Sequence, residues 1–157
     1  MTALLDRLEA EHDELRFAAF TLDDAWRLGS RLRTIAAERG LPIAIAIWFG
    51  PQRVFHAALP GASADNDGWL DRKHRVVERY GKSSLLVGEE FRAKGEDFDT
   101  HARLDPQLFA AHGGVLPLRL VSGAVIGAVG VSGLPQLDDH ELVVAQLRAM
   151  LGEARER

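Results

Sequence analysis

Lys73 stands where a charge is least expected. By helical spacing Trp69, Lys73, Val76, Val77 and Tyr80 share one face, and Arg72, Arg75 and Arg79 form a basic stripe beside it. Arg72 and Lys73 together can hold a carboxylate or a phosphate. The commoner outcome of this pattern is that the lysine snorkels past the rings and the arginines make a solvated face. Lys82-Ser83-Ser84 follows directly. Two hydroxyls at a helix start beside a lysine can offer backbone N–H groups to an anion. The same residues also serve as a plain N-cap, which is the more frequent use.

The six histidines are His12, His56, His74, His101, His112 and His140. None makes the His-Glu-x-x-His zinc motif. His56 alternates with Val54 and Ala58, which predicts a ring facing the sheet interior. His112 precedes Gly113-Gly114, whose missing side chains let backbone approach a ligand. His140 falls in the first turn of the last helix. Each can ligate iron or polarise a substrate, although a lone histidine is more often a hydrogen-bonded structural residue. Ser132 lies in Gly130-Val131-Ser132-Gly133, not in a Gly-x-Ser-x-Gly elbow. Ser63 to Gly68 echoes a calcium loop, but His74 stands where that loop needs a bidentate Glu, so a polar turn is the better reading. With no cysteine in the chain, thiolate catalysis, thiolate zinc and cysteine-held iron–sulfur clusters are excluded.

The elements around these residues are well marked. Residues 3–14 read as a charged helix with Leu4, Leu5, Leu8 and His12 on one face, and Leu15 to Phe20 as a strand or extended link. Thr21 caps a helix whose apolar stripe is Leu22, Ala25, Trp26, Leu28, Leu32, Ile35 and Ala36, and Gly40 and Pro42 stop it. Ile43 to Phe49 and Val54 to Leu59 make a hairpin across Gly50-Pro51. The first strand is apolar on both faces, which predicts Ile45 and Trp48 buried on opposite sides. Pro60 to Gly68 reads as loop, residues 69–80 as a helix ended by Gly81, and Ser83 to Lys94 as another. Asp105-Pro106 reads as the start of a short helix. Val115 to Val121 and Ala124 to Val131 form a second hairpin, with Pro117 predicting an edge or a bulge. The glycines Gly127 and Gly130 predict a close approach there, by a helix more often than by a ligand or a subunit. The last helix is predicted from a capping box at Asp138 to Glu141 and runs to about residue 153.

Two hairpins joined by a helical insert predict an α+β fold, one antiparallel sheet with helices packed on it. The 157 residues read as a single domain, with residues 1–20 a helix and link and 21–153 the core. A net charge of −4 gives no footprint for nucleic acid. The longest apolar runs, seven and eight residues, are too short to span a membrane. Met1 to Arg7 lacks the pattern of a secretory signal, so the expected location is cytoplasmic.

The order of motifs carries a resemblance. Trp48-Phe49-Gly50, Phe55-His56, Pro60-Gly61, Asp65-Asn66-Asp67-Gly68-Trp69, Arg72-Lys73 and Ser83-Ser84 come in series. His112-Gly113-Gly114 with Pro117, Gly127, Val131-Ser132-Gly133-Leu134 and Asp138 to Val144 complete the set. Over roughly residues 20–150 the chain resembles uncharacterised protein family 0303, a branch of the haem-degrading-domain, haem-binding-protein-like family. The resemblance implies a profilin-like fold of about five antiparallel strands flanked by helices, and a homo-oligomer built from dimers. It also implies haem binding, with weak haem degradation as a further expectation, but no catalytic residue carries over.

Three functions follow in order of preference. The first is binding of haem or another small anion, propionates being held by Arg72, Lys73 and Arg75 and iron by His112 or His140. Covalent c-type haem is excluded for want of its cysteines. The second is an oligomeric scaffold or accessory protein in which Trp69, Arg72, Lys73 and the Ser83-Ser84 turn hold subunits together. The third, a hydrolase or isomerase, lacks a visible nucleophile–base pair. The binding reading predicts that Arg72, Lys73, Ser83 and Ser84 converge with His112 or His140 around one pocket, approached by Gly113, Gly114 and Gly133, with Ser132 a further candidate ligand-binding residue.

Overall fold

The computed structural model describes residues 2–155. Eleven elements follow in order: α1 (Ala3–Glu14), β1 (Arg16–Phe17), α2 (Leu22–Arg39), β2 (Ala44–Phe49), β3 (Gln52–Ala58), α3 (Ala64–Tyr80), α4 (Ser84–Ala93), α5 (Phe98–His101), β4 (Val115–Leu120), β5 (Val125–Ser132) and α6 (Gln136–Arg155). The five strands form one sheet in the order β1-β4-β5-β2-β3. The two hairpins β2–β3 and β4–β5 are antiparallel, as is the β2–β5 pair between them. The sheet is nevertheless mixed, because β1 joins β4 in parallel through Arg16↔Arg119 and Phe17↔Leu120. That corrects the all-antiparallel expectation: α1 and the link deliver β1 to the edge from the same end at which β4 enters.

The alternation in β2 builds the layers. Ile45 and Ile47 join the core made with Leu28 and Leu32 of α2 and Val143 and Leu147 of α6. Ala44, Ala46 and Trp48 point the other way, to Leu70 and Val77 of α3. Both Ile45 and Trp48 are buried, so the central strand is covered on both faces as its composition predicts. The glycines of β5 serve strand contacts instead of the expected helix packing. A Cβ on Gly127 would strike the Trp48 carbonyl, and one on Gly130 would strike the Val115 side chain. Pro117 lies beyond the short β1 ladder, and the β4–β5 register shifts between Leu118 and Arg119.

Several boundaries differ from the sequence reading. Helix α3 starts at Ala64, five residues early, because Ser63 and Asn66 close a capping box and Asp65 and Asp67 sit in its first turn. The calcium-like stretch is therefore helical. Asp105-Pro106 opens only a turn, with Asp105 O accepting from Leu108 and Phe109, while the short helix lies earlier at Phe98–His101. Helix α6 starts at Gln136, two residues before its acidic pair. Helix α2 keeps its Thr21–Asp24 capping box and left-handed Gly40, yet Leu22 and Trp26 are 61% and 68% exposed. Among the described residues no helix is long and apolar enough to cross a membrane.

Candidate functional site

A cleft of about 320 Å³ opens where β5 ends and α6 begins, under the first turns of α3. Trp69 and Lys73 of α3, His112 from the loop before β4, Ser132 and Gly133, and Asp139 of α6 line it. At its floor Lys73 Nζ lies 3.6 Å from Asp139 Oδ2, with the side chains only 4% and 2% exposed. Lys73 therefore does not snorkel. The apolar stripe of α3 carries it into the wall, and the anion it meets there belongs to its own chain.

Backbone fixes the carboxylate. Asp139 Oδ1 accepts from Leu134 N at 3.1 Å, on the turn that enters α6. Gln136 Oε1 accepts from Gly113 N at 3.0 Å, tying the β4 loop to the same turn. Burial pushes the Asp139 carboxyl up to about 6, against the pull of Lys73 and the backbone donors. Burial likewise lowers the Lys73 ammonium, with Asp139 opposing. The pair is thus held in a wall that disfavours either charge alone.

Two glycines make this approach possible. Gly114 has φ 141° and Gly133 φ 145°. A side chain on Gly114 would meet Lys73 Nζ and the Val131 carbonyl, and one on Gly133 would meet the Pro42 carbonyl. The close partners at both positions are atoms of the protein itself.

Aromatic groups form the outer wall. The Arg72 guanidinium lies 3.9 Å from the Trp69 ring centre, and the His112 ring meets Trp69 edge-on at 5.6 Å. Burial leads the lowering of the His112 pKa, so this imidazole is neutral at pH 7.

The other expected residues go elsewhere. Ser83 Oγ accepts from Leu86 N as the α4 cap. Ser84 Oγ exchanges hydrogen bonds with Val115 N and O at 3.2 Å, pinning α4 to β4. His140 is fully buried, and its Nε2–H donates to Glu11 Oε1 at 2.8 Å. Ser83 and His140 line a separate cavity of about 20 Å³ beneath α1, room for about one water. The expected convergence of Arg72, Lys73, Ser83 and Ser84 with His112 or His140 is therefore corrected: Lys73, His112, Ser132 and Gly133 meet in the cleft without the two serines. Gly113 and Gly114 do not line it but pack behind it, against Gln136 and Lys73, Arg72 touches it only through the Trp69 ring, and Ser83, Ser84 and His140 lie away from it. His56 is likewise not interior; it is more than one-third exposed and pairs with Asp67 at 2.7 Å.

A second depression, of about 390 Å³, is bordered by Trp48, Arg53, His74, Arg75 and Glu78. Its cations are already engaged: Arg53 pairs with Asp71 at 2.7 Å and Arg75 donates to Leu108 O. Among the described residues no group of three or more His, Asp or Glu is placed to hold a metal ion.

Residues 20–148 match the family of haem-degrading HbpS-like proteins. The chain belongs to that family. Within it, the chain is 55% identical to a UPF0303 protein of Streptomyces coelicolor over 93% of its own length and 92% of the relative's. It is 44% identical to a UPF0303 protein of Edwardsiella ictaluri, covering 94% of each. The crystal structure of the Ybr137w protein superposes with TM-score 0.88 at 29% identity, over 98% of this chain and 91% of that one. The PduOC–haem complex shares the family fold, with TM-score 0.67 at 17% identity over 83% of this chain and 94% of the other.

What sequence reasoning missed in this family member is Asp139. It appeared as a capping residue, whereas it closes the cleft floor. The available signal was its place at the head of an apolar stripe, Asp139, Leu142, Val143, Gln146 and Leu147.

Proposed function

We propose that this protein binds a small carboxylate-bearing ligand in the cleft over Lys73 and Asp139. The observation that carries this reading is the state of the Lys73 ammonium. It has three donors, and among the described residues its ionic partner is one carboxylate oxygen at 3.6 Å, beyond hydrogen-bond length. A buried ammonium so placed on a cleft floor has capacity for a ligand oxygen.

Haem is the ligand that the family description and the PduOC–haem complex bring forward. The residues fit its carboxylates, through Lys73 with Arg72 stacked on Trp69 nearby, and His112 is the imidazole on the lining. They do not fit its macrocycle. Trp69 and Leu134 are the large apolar residues of a wall otherwise made by groups such as Asp65, Asn66, Lys73, Gln136 and Asp139. This cleft alone therefore offers no apolar slot for a porphyrin, and a haem held here would need a second surface.

Self-association supplies a candidate for that surface, and exposed Leu22 and Trp26 support a homo-oligomer. The alternative function, an oligomeric scaffold without a ligand, rests on the same exposed pair. A cysteine-free chain suits a cytoplasmic home.

Titration with benzoate and with haemin separates the readings. Ligand binding requires saturable benzoate binding that Lys73→Met abolishes. Saturable haemin binding, seen as a Soret shift, is expected only for the oligomer. Absence of saturable binding of either probe leaves the scaffold reading in its place.

A further inference from the structure

We propose that ligand binding in this cleft is proton-linked: the incoming carboxylate takes over the Lys73 ammonium, and Asp139 takes up one proton as it does so. This rests on the cleft being a carboxylate site. The geometry allows no independent arrangement. One ammonium nitrogen lies 3.6 Å from Asp139 Oδ2, both side chains are more than nine-tenths buried, and the other oxygen is held by Leu134 N. A ligand carboxylate that reaches Nζ necessarily comes close to Asp139. Two anions then share one cation in a desolvated wall, where like charges within about 4–6 Å strongly disfavour joint ionisation.

The surrounding charges favour the same outcome. From α3, Lys73 holds the Asp139 proton affinity down, and its attraction is divided once a second carboxylate arrives. Asp65, at the start of α3, adds negative charge to the lining, and His112, on the loop before β4, is neutral. Arg72 is committed to the Trp69 face. Burial already places Asp139 near the physiological range, so the added anion carries it through neutrality. Lys73 keeps its proton, because a closer anion favours the charged ammonium.

The exchange balances without any covalent step. The Lys73–Asp139 ion pair, one ligand carboxylate and one solvent proton become a Lys73–ligand ion pair and a neutral Asp139 carboxyl. That carboxyl is now a donor. Its O–H can point at the ligand anion, giving a short charge-assisted hydrogen bond beside the ammonium. The site thereby selects ionised carboxylates over amides and esters of the same shape, which cannot draw in the proton.

Calorimetry of benzoate binding in two non-carboxylate buffers of different ionisation enthalpy tests this, with benzamide as the neutral control. At pH 7 the expected result is uptake of about one proton per benzoate, with affinity falling roughly tenfold between pH 7 and pH 8. Asp139→Asn should bind benzoate with no proton uptake and a flat pH profile, its amide N–H replacing the acid O–H. Benzoate binding in the wild type without proton uptake overturns the linkage and leaves the carboxylate site standing. No benzoate binding, or equal binding by Lys73→Met, overturns the site itself. The wild-type slope decides the matter even if Asp139→Asn fails to fold.

Discussion

A Cβ on Gly114 would lie 2.8 Å from the Lys73 ammonium nitrogen and 3.3 Å from the Asp139 Cβ. The glycine is what allows the β4 loop to close over the ion pair, and its φ of 141° is one that other residues rarely adopt. Gly114→Ala should therefore displace Lys73 and lower stability by about 1–3 kcal/mol. The urea midpoint reads this directly, provided the slope is unchanged. A loss under roughly 0.5 kcal/mol, the range of neutral surface changes, would mean that the loop yields without strain.

Asp139 gives the ion pair a pH signature. Its carboxyl is pushed from 3.8 up to about 6 by burial, so the folded protein binds this proton more tightly than the unfolded chain. The stability it contributes is full below pH 3.8 and is lost as pH rises through about 6. The stability of the wild type relative to Asp139→Asn should thus fall across that window, by about 2–3 kcal/mol at the most. Chemical unfolding at several pH values measures it, and a relative stability that rises from pH 4 to pH 6 contradicts the assignment.

The two halves of this pair were unequally legible. Lys73 announced itself, because a lysine inside the stripe Trp69, Val76, Val77 and Tyr80 is conspicuous. Snorkelling is nevertheless the commoner fate of a lysine in such a stripe. Asp139 was masked by Asp138 and Glu141, which imitate a helix start. Once α6 is known to begin at Gln136, Asp139 heads an apolar stripe of its own. Two oppositely charged residues, each in the buried face of a different helix, are a pairing signal. Local patterning described the hairpins, α1, α2 and the two-faced β2 well. It failed for the parallel β1–β4 pair and for the destination of Ser83 and His140, since those depend on which distant segment packs beside them.

His140 and Glu11 are the contact that fixes α1. They meet at 2.8 Å in a buried setting, and His140 Nδ1 has no hydrogen-bond partner. Around them Leu5 and Leu8 pack on Leu85 and Leu86, while Arg148 holds Glu14 at the surface. Glu11→Ala leaves the buried His140 Nε2–H without its acceptor and should cost about 1–3 kcal/mol in local opening of α1. Hydrogen exchange should show deprotection concentrated in residues 3–14. Unchanged protection there would make the hydrophobic contacts sufficient on their own.

Trp26 and Leu22 remain on the surface of α2, Trp26 edge-on to Phe55 of the outer strand β3. Large apolar groups so placed predict self-association through this face. Light scattering should give at least a dimer at micromolar concentration, and Trp26→Asp should shift it towards the monomer. A monodisperse wild type at the monomer mass of 17.2 kDa contradicts the prediction.

A carboxylate bound over Lys73 and Asp139, as proposed above, would lie against two aromatic reporters, Trp69 and His112. Nuclear magnetic resonance during a benzoate titration tests that binding most directly, because the Trp69 indole N–H and the His112 ring report from the lining itself. Saturable shifts are expected at Trp69, His112, Gly133 and Leu134, with quiet signals at Trp48 and His74 in the second depression and no saturable response in Lys73→Met. Shifts centred on Trp48 and His74, or a response that survives Lys73→Met, would place the ligand elsewhere and contradict the proposal.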